Sequence, residues 1–279
     1  MKIIGDTSRD IYDIEYKIEI PSDKVTSFIS RPLVDLNLFI GFLKSKKPEC
    51  IDDLTQDLIK RLKSLTLDSE STFDFEYESQ HLSKYPELEE ITKQVTLGML
   101  NYTKYENDLQ GESLKILSED YIKSYVPTNN RTITALVEVI GRDAALTLYK
   151  EYVDYRTDIM KKPTTSKYES LEQFYKLMIS EGGSGPQGGV GAILEGGMVV
   201  FRVDRCMWHE LQKEYGDMEI AYVTACHYDF YAATLWNENF ELTRTKTCMQ
   251  GGYCDFCWHD KRYDKEMKHP PDEFWKNLE

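Results

Sequence analysis

Phe240-Glu241-Leu242-Thr243-Arg244-Thr245-Lys246, followed after Gly251-Gly252 by Tyr253-Cys254-Asp255-Phe256-Cys257-Trp258-His259, is the stretch that decides the fold class. Both runs favour extended backbone, and the paired glycines between them supply turn conformations, so the pattern predicts two strands of one sheet, 240–246 and 253–259. Alternation along the second strand sorts its side chains. Cys254, Phe256 and Trp258 share one face, and Asp255, Cys257 and His259 share the other. The same alternation argues against a metal or redox role for Cys254-x-x-Cys257, because residues three apart on a strand point opposite ways.

Upstream, residues 198–203 form a further β-type run. Residues 206–215 have helix-forming composition with Gly216 as a stop, and 218–235 are apolar enough for a buried helix. Residues 181–191 hold six glycines in eleven positions and predict a flexible loop. That loop lacks the Gly-Lys-Ser/Thr ending of a Walker loop and does not follow a clear strand, so phosphate cradling is not expected. Pro163 with Thr164, Thr165 and Ser166 reads as a linker, and the next short helix carries Leu171, Phe174, Tyr175 and Met178.

The first half reads as helical. Leu54, Leu58, Leu62 and Leu65 recur on one stripe of a helix over 52–65. Ile91, Val95 and Met99 mark a second helix. Leu136, Ile140, Leu148 and Tyr152 mark a third stretch over 132–161, which Gly141 divides into two helices. The alternating apolar and acidic order at 68–77 predicts an extended segment. Helices first and a sheet afterwards give an α+β class. The expected organisation is a mainly helical region at 1–162, a linker and Gly-rich loop at 163–197, and a Cys-rich α+β region at 198–279, continuous with 130–162 in one variant of this reading.

The chain's 279 residues are ample for a self-sufficient core, and 41% hydrophobic content is ordinary for a globular protein. A formal net charge of −14 without a Lys/Arg stripe excludes a nucleic-acid or anionic-membrane partner from the reading. It does not exclude a small anionic substrate, since arginines inside a pocket outweigh a diffuse, screened surface charge. No apolar run approaches the length of a membrane span, and residues 1–7 do not resemble a signal peptide. The expectation is a soluble, cytoplasmic protein with reduced thiols, acting on a small molecule without a cofactor.

Five of the six cysteines and three of the five histidines lie between Cys206 and His259, so chemistry is expected there. Cys206 falls where a strand passes into a helix, where unpaired N–H groups favour a thiolate; the competing reading is a small buried hydrophobe. Cys226 and Asp229, three apart on a helix, share a face and can address one bound molecule. A zinc site built from Cys206, His209, Cys226 and Cys254 is a further alternative. His259 is a secondary candidate, and His269, beside Pro270, is expected in a solvated tail.

The ordered combination of Cys206, Cys226-x-x-Asp229 and Thr243-Arg244-Thr245-Lys246-Thr247, leading through Gly251-Gly252 to Cys254-Asp255-Phe256, resembles the C-terminal pattern of the L-2-amino-thiazoline-4-carboxylic acid hydrolase family. The resemblance covers mainly residues 198–260, with a less specific likeness around Gly141-Arg142-Asp143-Ala144-Ala145. Met207, Trp208, Cys248 and Cys257 depart from it. It implies ring opening by water at the C=N carbon of a cyclic, carboxylated substrate. Cys226 or Cys254 would attack directly or position water, with Cys206 a further catalytic candidate; Asp229 or Asp255 would move protons, Arg244 would take the substrate carboxylate through a bidentate pair, and Thr247 would also bind substrate. An exposed strand position is the competing reading for Arg244. A non-catalytic small-molecule or zinc-binding sensor-like module, similar to vinyl-reductase-like domains, is the alternative for the whole.

Overall fold

The computed structural model describes all residues except 66–72, 107–111, 161–166 and 181–184. Contacts divide the chain into two units, Glu15–Arg156 and the combination of Met1–Ile14 with Thr157–Glu279. The first strand, β1 (Ile3–Asp10), therefore belongs with the C-terminal residues.

The inserted unit is helical. In order it contains β2 (Lys17–Pro21), α1 (Val25–Ile29), α2 (Arg31–Lys46), α3 (Ile51–Lys63), α4 (Pro86–Leu100), β3 (Ser113–Leu117), α5 (Ser118–Ile140) and α6 (Arg142–Met160) as far as Arg156. The leucine stripe behaves as its spacing requires: Leu54, Leu58 and Leu62 of α3 are buried, while Leu65 lies just past the helix end. Asp52 and Asp53 in the first turn and Lys60, Arg61 and Lys63 in the last suit the helix dipole. In α4 the buried face is broader than Ile91, Val95 and Met99: Leu88, Thr92 and Thr96 are buried with Val95, and both threonine hydroxyls bond back to carbonyls one turn earlier. Gly141, at φ 83°, separates α5 from α6 as its position predicts. β2 and β3 pair antiparallel and cover a small core around Ile20, Leu114 and Ile116. Residues 73–77 of the expected extended segment form no strand, and 68–72 lie outside the described residues.

In the C-terminal unit, α7 (Leu171–Tyr175) continues into a wide π turn at Lys176–Ser180. Then follow β4 (Gln187–Leu194), β5 (Met198–Cys206), α8 (Met207–Gln212), α9 (Met218–Ala221), a second π turn at Tyr222–Cys226, α10 (Asp229–Trp236), β6 (Phe240–Thr243), β7 (Cys254–Asp260) and α11 (Asp272–Lys276). The strands form one antiparallel sheet in the order β1-β4-β5-β7-β6. Helices first and this sheet afterwards make the fold α+β. The single helix expected over 218–235 is broken by its π turn, and the strand expected over 240–246 ends at Thr243, where the chain leaves to place Arg244.

Register explains the two faces. Val199 pairs with Trp258, Phe201 with Phe256 and Val203 with Cys254, and these side chains pack with Phe174, Phe240 and Leu242 in one core. The intervening Val200 and Cys257 pack on the opposite face with Val190, Ala192, Leu194 and Trp275. β7 is buried along its whole length, so the predicted alternation separates two cores.

Residues 187–191, expected in a flexible loop, are strand. Their glycines serve close approach: a Cβ on Gly189 would lie 1.8 Å from the Arg202 carbonyl oxygen, and one on Gly191 would lie 2.6 Å from Ile179. Tyr175 also donates a 3.0 Å hydrogen bond to the Gly191 carbonyl. We predict that Gly189→Ala destabilises the protein by about 1–3 kcal/mol, because backbone must move to admit the methyl group. Thermal unfolding checks this; an unchanged Tm would contradict the close packing of β4 on β5.

Candidate active site

Four segments bring the chemical side chains to one face of the sheet. Cys206 closes β5 and caps α8, Cys254 opens β7, Cys248 begins the 3₁₀ turn Cys248–Gln250, and Cys226 and Asp229 bracket the passage from the π turn into α10. Arg244, just past β6, ties them together. Its guanidinium pairs with the Asp229 carboxylate through Nη1 and donates from Nη2 to the Cys226 carbonyl at 2.8 Å. The rings of Phe230 and Phe256 each lie 5.0 Å from its charged centre. Its side chain is 1% exposed, against 34% for Asp229, so the pair presents its carboxylate outward.

Burial governs the electrostatics. Desolvation pushes Cys226 well above the usual thiol range, the Asp229 charge adds to this, and Arg244 opposes it. Desolvation also raises Asp229 above its ordinary value despite the pull of Arg244. Arg244 itself loses by burial, but Asp229 and Cys226 more than restore its charge. For Cys206 the expected thiolate at the helix start does not form: the His209 and Trp208 N–H groups do favour the anion, yet burial outweighs them and the thiol is pushed up to about 12. Cys254 donates to the Cys248 sulfur at 3.6 Å, a bond that holds the Cys254 proton and lowers the Cys248 thiol.

Asp229 opens onto a cavity of about 230 Å³ whose other walls include Phe174, Trp236, Leu242, Phe256 and Trp258, with Gln187 at one side. Sequence reasoning did not single out Phe174, Trp236 or Gln187. The one signal available was the alternation that sends Phe256 and Trp258 to the same face as Cys254. Among the described residues, no three His, Cys, Asp or Glu side chains are grouped so as to hold a metal ion, and Cys206, His209, Cys226 and Cys254 are no exception.

Asp255 is not brought to this group. Asp255 points to the opposite face, fully buried, and accepts from the backbone N–H groups of Thr245 and Lys246, the Thr245 hydroxyl and His269. The Thr247 hydroxyl donates to Gln250 within its own turn. His269 is no solvated tail: it lies 3.0 Å from Asp255 and stacks on Trp275, because α11 folds back onto the sheet. A polar chain results. Asp264 meets His259 at 2.6 Å, His259 meets the Thr243 hydroxyl at 2.7 Å, and that hydroxyl meets His269 at 2.9 Å. With the Asp255 contact the chain runs unbroken from one carboxylate to the other, the donor roles following the tautomers of the two imidazoles. Burial lowers the proton affinity of His259.

Although burial works against the charge on Asp255, the bonds from His269, Thr245 and Lys246 prevail and hold its carboxyl below the ordinary 3.8. A carboxylate with a depressed folded value contributes stability above its unfolded value and loses it as pH falls through the folded one. Asp255→Asn is therefore expected to cost about 1.5–3 kcal/mol at pH 7, with the difference from the parent protein shrinking below about pH 4. Urea unfolding across that range checks it; a gap that stays constant would contradict the assignment.

A family model described as L-2-amino-thiazoline-4-carboxylic acid hydrolase matches residues 90–258, more than half of the chain. The match includes Cys206, Cys226, Asp229, Arg244, Cys254 and Asp255, while His259, Asp264 and His269 lie beyond it. No curated protein and no solved structure matches.

Proposed function

We propose a function from one premise: this chain belongs to the L-2-amino-thiazoline-4-carboxylic acid hydrolase family. It hydrolyses a non-peptide C–N bond in a small cyclic substrate of thiazoline type, using Asp229 and Cys226 on the front of the sheet. One observation carries the reading. Asp229 is the charged side chain on the wall of an otherwise largely apolar cavity, held by a buried arginine and three residues from a thiol.

The direction of the thiol's shift supports one of its two roles. Cys226 is held protonated by burial and by Asp229, so it positions water rather than attacking as a thiolate. Water adds through oxygen to the C=N carbon, its proton passes to Asp229, and the π electron pair moves to the ring nitrogen. Asp229 returns that proton to the nitrogen. As the C–N bond breaks its electron pair stays on nitrogen, and the new hydroxyl's proton passes through Asp229 to that nitrogen, which leaves a carbonyl and an amine. Arg244 acts as a positioning residue: it keeps one carboxylate oxygen fixed and offsets the charge through the cycle. Cys206, Cys248 and Cys254 lie behind this pair as buried thiols.

Ring opening of 2-amino-thiazoline compounds, followed by loss of their ultraviolet absorbance, tests the reading. Asp229→Asn is expected to lower kcat by about 10²–10⁴-fold. Cys226→Ala should lower it strongly, while Cys226→Ser, which can still hold water, should keep most of it. Full activity in Asp229→Asn would sink the assignment, and an inactive Cys226→Ser would make the thiol the nucleophile. Because Asp229 must be ionised and sits above the ordinary carboxyl range, kcat should fall at a higher pH on the acid side than it would for an unshifted aspartate.

A further inference from the structure

The family's name places a carboxylate on the ring. The walls of this cavity give such a group no cation to bind: among the described residues they carry no Lys, Arg or His, their one charged side chain is Asp229, and Gln187 offers only a neutral amide. Arg244, the natural clamp for a carboxylate, is 1% exposed and already engaged by Asp229 and the Cys226 carbonyl. Turning it to a ligand would leave Asp229 unpaired, facing a second carboxylate across a low-dielectric space.

The rest of the cavity suits a flat apolar group. Phe174 stacks on Trp236 at 5.1 Å and meets Trp258 edge-on at 4.8 Å, and Phe256 lies parallel to Trp258 at 5.3 Å. Leu242 and Met178 complete the wall. These rings already pack on one another, and together they give the cavity a continuous aromatic wall against which a flat ring can lie. An amidine edge would donate N–H bonds to Asp229, and when protonated it is also attracted by the surrounding ring faces.

We propose that the ring recognised by this chain carries an uncharged, flat apolar substituent where the family's named substrate carries its carboxylate. The inference rests on the reading that Asp229 receives the amidine edge, and it assigns Trp236, Trp258 and Phe174 to the recognition of the substituent.

A matched pair of probes tests it: 2-amino-thiazoline-4-carboxylate and its 4-phenyl counterpart, compared by tryptophan-fluorescence titration and by ring opening. The phenyl compound is expected to bind at least about tenfold more tightly and to show a kcat/KM at least about tenfold higher. Trp236→Ala should erase that preference. Gln187→Lys, at the side of the cavity, should tighten the carboxylate by about tenfold and leave the phenyl compound nearly unchanged. Equal or preferential use of the carboxylate by the parent protein overturns the inference while the hydrolase reading stands. Tight binding of the phenyl compound with no ring opening of either probe upholds the inference and overturns the hydrolase reading. Failure to bind either probe overturns the inference.

Discussion

Strand β7 is buried on both faces, hydrogen-bonded to β5 on one side and β6 on the other. A strand in that position cannot slip by one residue without exchanging every side chain between two cores, so its register is strongly determined. Everything functional in the C-terminal unit follows from it. Cys254, Phe256 and Trp258 are committed to the face that carries the cavity, and Asp255, Cys257 and His259 to the face closed by α11. The density of reactive residues in Cys254–His259 is thus the superposition of two separate environments.

On the cavity face the controlling term is desolvation. Three of the thiols there, Cys206, Cys226 and Cys254, are held in their protonated form, and the helix-start geometry of Cys206 does not reverse this. Asp229 escapes full burial, has a guanidinium behind it and is the one charged side chain among the described residues that line the cavity. Arg244 can occupy that position because β6 stops at Thr243 and the chain turns. Its neighbours Phe230 and Phe256 shield the ion pair from water.

On the other face the same strand builds a polar chain between two carboxylates. Two of its members, His269 and Asp264, come from the segment after β7. His269 is held in place by Trp275, which is fully buried, donates to the Pro270 carbonyl at 3.0 Å and stacks on His269. The interaction ties the end of the chain to the loop that presents Arg244, since Asp255 holds the backbone of Thr245 and Lys246.

Much of this was legible in local pattern. The leucine stripe of α3, the break at Gly141, the stop at Gly216 and the alternation of β7 follow from periods and glycine conformations that act within a few residues. The ordered Cys and Asp positions were enough to indicate the family. Local pattern misread the glycines of β4 as a flexible loop, because their reason is a helix and a neighbouring strand lying against them, which no spacing within 181–191 reports. It likewise could not tell that Arg244 would be consumed by Asp229, that Asp255 would be saturated by its own loop, or that His269 would be drawn onto the sheet. Those outcomes depend on which groups lose water together, and residues distant along the chain decide that. Sequence alone determined the α+β class, the faces of β7 and the family; only the tertiary structure decided which of the reactive side chains reaches the cavity, because desolvation and pairing are properties of the packed chain.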